Sequence, residues 1–197
     1  MDYKEHTLDS SVEEALPAYD VRYTYSDYIQ WDDDVRRELI DGVPYLMAAP
    51  NRKHQGILGN LYLQLGNFLE GKSCKVYLSG LGVRLNADTL DDTVVQPDLV
   101  IVCDHSKLDK AGCTGVPEMV VEILSPSNSR YDKVTKFNRY LKAGITEYWI
   151  VDPITQSLAV NILKDNNYIT HVYTDKETVH VQFLKGCLVN LSKVFTD

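Results

Sequence analysis

A chain of 197 residues with 44% hydrophobic and 24% charged residues has the makeup of one soluble globular domain, long enough to bury a substantial core. No apolar stretch approaches the roughly 20 residues that span a bilayer. Met1 to His6 lack the basic-then-apolar start of a secretory leader, so a cytoplasmic protein is expected. The net charge of −8 argues against a wide phosphate-binding face, because nonspecific nucleic-acid affinity comes largely from basic surface. It leaves room for local basic clusters beside an acidic site.

In chain order, residues 1 to about 20 are polar and aperiodic and read as a loose arm ahead of a single domain, 21–197. Tyr23 to Trp31 reads as a short helix capped by Thr24 or Ser26. Arg37 to Met47 reads as a hairpin turning at Asp41-Gly42. Ile57, Leu58, Leu61, Leu65, Phe68 and Leu69 fall at helical spacing in a helix that starts at Asn51 and stops at Gly71. Val76–Leu78 and Gly82–Leu85 are strand-like, and Asp88 to Asp92 form an acidic, solvated turn. Two markedly apolar strands follow, Val94 to Val102 and Met119 to Leu124, separated by a polar loop from Asp104 to Gly115.

Leu124 to Ser129 is rich in turn residues and reads as a loop. A helix from Asp132 to Ala143 puts Val134, Phe137 and Leu141 on one face and ends at Gly144. Strand signals at Glu147–Val151, Ser157–Leu163, Tyr168–Thr174 and Thr178–Leu184 complete the chain, with Trp149 expected in the core. This order predicts an α/β (α+β) fold, a mixed sheet flanked by helices with a C-terminal β-meander. The four cysteines, Cys74, Cys103, Cys113 and Cys187, lack zinc-ribbon spacing and read as reduced structural residues. Cys103 and Cys113, flanking one loop, are the two placed to approach each other.

The acids inside the apolar strands carry the chemistry. Asp98 follows Pro97 within the first strand and Glu122 lies within the second. A carboxylate on a buried strand is costly unless something positive compensates it. Two such acids, followed by Lys136 on a helix, suggest a divalent-metal site with a lysine beside it. The competing reading is a purely structural ion-pair network. Lys133 lies one turn before Lys136 on a similar face and shares its role or touches phosphate. Asp132 reads as a helix cap or a partner of Lys136. His54, near the start of its helix, contacts phosphate or relays a proton, or is a surface or capping residue.

Taken together, Glu38-Leu39-Ile40-Asp41-Gly42, His54, Gln96-Pro97-Asp98, Glu122 to Ser127, Asp132 to Lys136 and Glu147 to Pro153 resemble the Uma2 family of the PD-(D/E)XK nuclease superfamily. The likeness extends over about residues 23 to 195. It implies a restriction-endonuclease-like fold and metal-dependent hydrolysis of DNA phosphodiesters. Asp98, Glu122 and the backbone carbonyl of Ile123 would bind Mg2+ or Mn2+, which suit hard oxygen ligands. The superfamily's usual lysine two residues after the acid is replaced by Leu124, and the family pattern supplies Lys136 from the next helix instead. Lys136 would orient the attacking water or offset charge on the phosphate. Glu38 would hold a second metal or a water, the alternative being an ion pair with Arg36 or Arg37. Duplex cleavage needs two sites, so a homodimer acting on DNA is expected. Two other readings stand beside this one: a catalytically weak binding or regulatory module, and a metal-dependent hydrolase of RNA or another phosphodiester.

Overall fold

The computed structural model describes residues 21–125 and 131–196. The expected arm, most of the loop after Leu124 and the Asp132 side chain lie outside the described residues. The first helix, α1 (Tyr25–Tyr28), is one turn long, shorter than expected. Thr24 caps it, its backbone N–H donating to the Asp27 carboxylate at 2.8 Å. The hairpin forms as β1 (Arg37–Ile40) and β2 (Val43–Leu46), with Ile40 opposite Val43. Asp41 (φ 48°) and Gly42 (φ 76°) adopt the left-handed conformations that a two-residue hairpin turn requires.

Helix α2 (Arg52–Leu69) is capped by Asn51, whose side chain accepts the His54 backbone N–H. Its buried stripe, Ile57, Leu58, Leu61, Leu65 and Leu69, packs with Leu99, Ile101, Met119, Val121 and Trp149 on one face of the larger sheet. The alternate strand residues Val100, Val102, Val120 and Tyr148 pack on the opposite face with Tyr140. Both faces of the central strands are therefore covered, which accounts for their unbroken apolar sequence.

The larger sheet contains β3 (Lys75–Leu78), β6 (Leu99–Val102), β8 (Met119–Ile123), β9 (Glu147–Asp152), β10 (Ser157–Lys164) and β11 (Asn167–Thr174), in the order β11-β10-β9-β8-β6-β3. Among the described residues of this sheet only the β8–β9 pair is parallel. Its crossover contains a π-helical turn, Tyr131–Lys136, running into α3 (Phe137–Ala143). Two strands of the expected meander from Ser157 to Leu184, β10 and β11, pair antiparallel here beside β9, and its third strand leaves this sheet. The smaller sheet has the order β2-β1-β5-β4-β7, using β4 (Gly82–Arg84), β5 (Val94–Val95) and β7 (Gly112–Thr114). Gly112 is obligatory there: a Cβ on it would lie 2.2 Å from the Gly82 carbonyl oxygen.

Three expectations are corrected. The run from Val94 to Val102 is not one strand. It breaks at Gln96-Pro97-Asp98, leaving β5 in the smaller sheet and β6 in the larger, as suits a proline that cannot donate to a ladder. Only the first residues of Thr178–Leu184 form a strand, β12 (Thr178–His180), which pairs with β13 (Leu188–Asn190) ahead of a final turn, α4 (Leu191–Val194). Cys103 pairs with Cys74, not Cys113: the register Lys75↔Val102 sets these two opposite each other, and a disulfide joins them. Cys113 and Cys187 are buried free thiols, both pushed up to about 11 by burial. Among the described residues no helix is long and apolar enough to cross a membrane.

Candidate functional site

Both sheets and both longer helices contribute to one cleft. The register Leu99↔Val121 brings Asp98, one residue ahead of β6, alongside Glu122 on β8. One Asp98 oxygen, Oδ2, accepts the Ile123 backbone N–H at 2.8 Å and lies 3.1 Å from His54 Nε2. Glu122 Oε1 accepts from Lys136 Nζ at 2.8 Å and from the Tyr140 hydroxyl at 2.7 Å. Lys136 also lies 3.0 Å from Glu38 Oε1, and Glu38 in turn accepts the Gln96 backbone N–H at 2.6 Å. These groups have little water around them: Glu38 is 1% exposed, Glu122 and Lys136 3%, and His54 6%.

The burial makes the pairing obligatory. Removing a carboxylate from water costs several kcal/mol, so it persists only where a cation and hydrogen bonds replace the solvent. Lys136 serves Glu38 and Glu122 together, and its place follows from local structure. The π-helical turn ends at Lys136, and Tyr140 sits four residues on, so both side chains reach the same carboxylate. Burial first, then the Glu122 and Glu38 charges, hold the Tyr140 phenol well above its usual pKa. It therefore remains a hydrogen-bond donor.

Of the residues singled out from sequence, Asp98, Glu122, Ile123, Lys136, Glu38 and His54 all line this cleft. Lys133 does not. It is half exposed and its Nζ lies 3.9 Å from Asp152 Oδ2. The ion pair weighed for Glu38 exists with a different partner: Lys136 takes it, while Arg37 pairs with Asp33 at 2.7 Å. His54 is neither a surface residue nor the cap itself: it is buried, Asn51 caps the helix by accepting its backbone N–H, and its ring meets Asp98. The acidic turn is less solvated than expected, since Asp91 binds Arg84 at 2.7 Å and Asp92 accepts from Asn86 at 2.6 Å.

Two members were not legible as such. Gln96 holds Glu38 through its backbone, while its side chain joins Tyr28, Arg36 and the Arg37 carbonyl. Tyr140 orients Glu122, and the four-residue spacing from Lys136 was the available signal.

The donor set suits a small hard cation. Asp98 and Glu122 offer carboxylate oxygens from adjacent strands, and Ile123 lies between them. Among the described residues no three His, Cys, Asp or Glu side chains form a ready cage. That is compatible with Mg2+, which binds through one or two carboxylates and retains several waters. The enclosed space of about 60 Å3 has room for an ion and a few waters. His54 Nδ1 is buried without a protein partner, leaving a polar atom for water or a ligand to satisfy.

Comparison with known proteins agrees with this architecture. A crystal structure described as a putative nuclease belonging to DUF820, from Anabaena variabilis, superposes with a TM-score of 0.72 at 19% identity, covering 88% of this chain and 97% of that one. The fold is thus shared with that protein and is restriction-endonuclease-like. An uncharacterized protein of Synechocystis sp., slr1290, is 32% identical over 116 residues, which span 58% of this chain and 60% of that protein. Residues 25–192 match the Uma2 family, described as a putative restriction endonuclease. Spanning both sheets and every member of the cleft, that match shows that the chain belongs to the Uma2 family.

Proposed function

We propose that the protein is a divalent-metal-dependent endonuclease hydrolysing DNA phosphodiesters in the cleft between Asp98, Glu122 and Lys136. The observation that carries this reading is the convergence of Asp98, Glu122 and Lys136 on one cleft, with Glu122 and Lys136 almost wholly buried. Held by Asp98, Glu122 and the Ile123 carbonyl, Mg2+ or Mn2+ would supply Lewis acidity toward the phosphate and its attacking water.

The chain's own groups do the positioning. The Ile123 N–H and the His54 ring fix one oxygen of Asp98, which limits its rotation and orients its other oxygen. Tyr140 and Lys136 fix Glu122 in the same way. Lys136, near two carboxylates, stays protonated and acts by charge: its ammonium orients water and offsets the negative charge that develops on the phosphate. Glu38 holds Lys136 in place and supplies an acid for a further ion or water. His54 contacts the phosphate from the start of α2. Lys133, outside the cleft, touches a DNA phosphate further from the cleaved bond.

A catalytically weak nuclease-fold module is the second reading, favoured by the chain's net charge of −8. Incubating supercoiled plasmid, single-stranded DNA and RNA with the protein in Mg2+, Mn2+ or EDTA separates these readings. Metal-dependent nicking that disappears in Asp98→Ala is expected. Preferential RNA cleavage would change the substrate assignment, and cleavage surviving Asp98→Ala would overturn the site.

A further inference from the structure

The larger sheet ends on one side at β11, and this edge is built unlike the others. β11 pairs with β10 along all eight residues, from Ser157↔Thr174 to Lys164↔Asn167. Among the described residues no strand pairs with its other side. Its sequence, Asn-Tyr-Ile-Thr-His-Val-Tyr-Thr, contains no lysine, arginine, carboxylate or proline. Ile169 is 44% exposed and Val172 67%. Proteins ordinarily blunt a free edge by making it short or by placing charges or proline on it. The other outer strands of the two larger sheets do so: β3 has four residues including Lys75, β2 has four including Pro44, and β7 has three.

We propose that β11 is the surface through which two copies of this chain associate, their edges pairing antiparallel into one continuous sheet. Self-complementarity favours a second copy as the occupant, and charge selects where the two copies meet. Each chain carries a net charge of −8, so two copies repel wherever their acidic surfaces meet, whereas β11 offers an eight-residue strip free of carboxylates. The strand is also compatible with itself. A two-fold axis perpendicular to the sheet at His171 keeps matching faces together. It sets Ile169 against Tyr173 and Thr170 against Val172, the aliphatic–aromatic and β-branched pairs that stabilise antiparallel strands. His171 meets its own copy at the centre, and the outward N–H and C=O groups supply the ladder bonds. The assembly deepens the nuclease reading by providing two cleavage sites, but the association needs neither metal nor nucleic acid.

Light scattering coupled to gel filtration, on the full chain in EDTA without DNA, reads the association over a range of micromolar concentrations. The wild type is expected at twice its 22.4 kDa mass. The double variant Ile169→Lys/Val172→Lys, which puts charge on the exposed edge, is expected at the monomer mass with an unchanged circular dichroism spectrum. A wild type that stays monomeric, or a folded variant that stays dimeric, overturns the proposal. If the variant does not fold, hydrogen exchange of the wild type decides. Amide exchange in β11 must slow as concentration rises, and exchange that is independent of concentration refutes the edge. Because no cleavage is measured, failure of the nuclease reading leaves this result intact, and the reverse holds too.

Discussion

Lys136 lies 2.8 Å from Glu122 and 3.0 Å from Glu38, and all three are almost wholly buried. Replacing the lysine by an apolar residue of similar length strands two carboxylates in a region without solvent. Lys136→Met is therefore expected to cost about 3–5 kcal/mol of folding stability, the range for breaking a buried pair from one side. Urea unfolding measures it, and a loss well below 1 kcal/mol would mean that the acids find other compensation. Tyr140→Phe removes a single donor to the Glu122 carboxylate and should cost about 1.5–3 kcal/mol in the same assay. Asp98 and Glu122 were legible from sequence because an acid in an apolar strand needs a partner, and the choice of Lys136 as that partner came from the Uma2 pattern. Gln96 was not, because its hold on Glu38 runs through a backbone N–H, which every residue but proline possesses.

Elements with strong periodicity were legible, and those defined by tertiary pairing were not. The stripe of α2 and the Asp41-Gly42 turn follow from spacing and local conformation. In contrast β7 and β13, three residues each, have too little pattern to separate from loop. The break between β5 and β6 depends on which sheet claims each half of one apolar run. The Cys74–Cys103 link is likewise a matter of register, closing a separation of 29 residues between β3 and β6. In the chain-entropy account a loop of that length contributes about 3–4 kcal/mol. Reductant should lower the stability measured by urea by that order. Denatured, unreduced protein should expose two reactive thiols, those of Cys113 and Cys187. Four reactive thiols before reduction would contradict the pairing.

Across the whole molecule, Glu147 on β9 ties the C-terminal segment to the larger sheet. Its carboxylate accepts from Trp149 Nε1 and from the Gln182 backbone N–H, each at 2.8 Å. Burial raises its pKa against the opposing pull of these bonds. Proton uptake thus favours the folded state: this contribution is fully present below the unfolded pKa and is lost as pH rises through the folded one. Relative to Glu147→Gln, the wild type should gain stability in urea titrations as pH falls from 7 toward 4. An unchanged difference would remove Glu147 as a titrating tie. The same packing of two sheets and two helices converges on Asp98 and Glu122, and the central claim is that these acids bind a divalent cation. Titration calorimetry of Mn2+ into the full-length wild type, Asp98→Ala and Glu122→Gln tests it most directly. The account predicts saturable binding that weakens at least about tenfold in each variant. Equal affinity in all three proteins would contradict it.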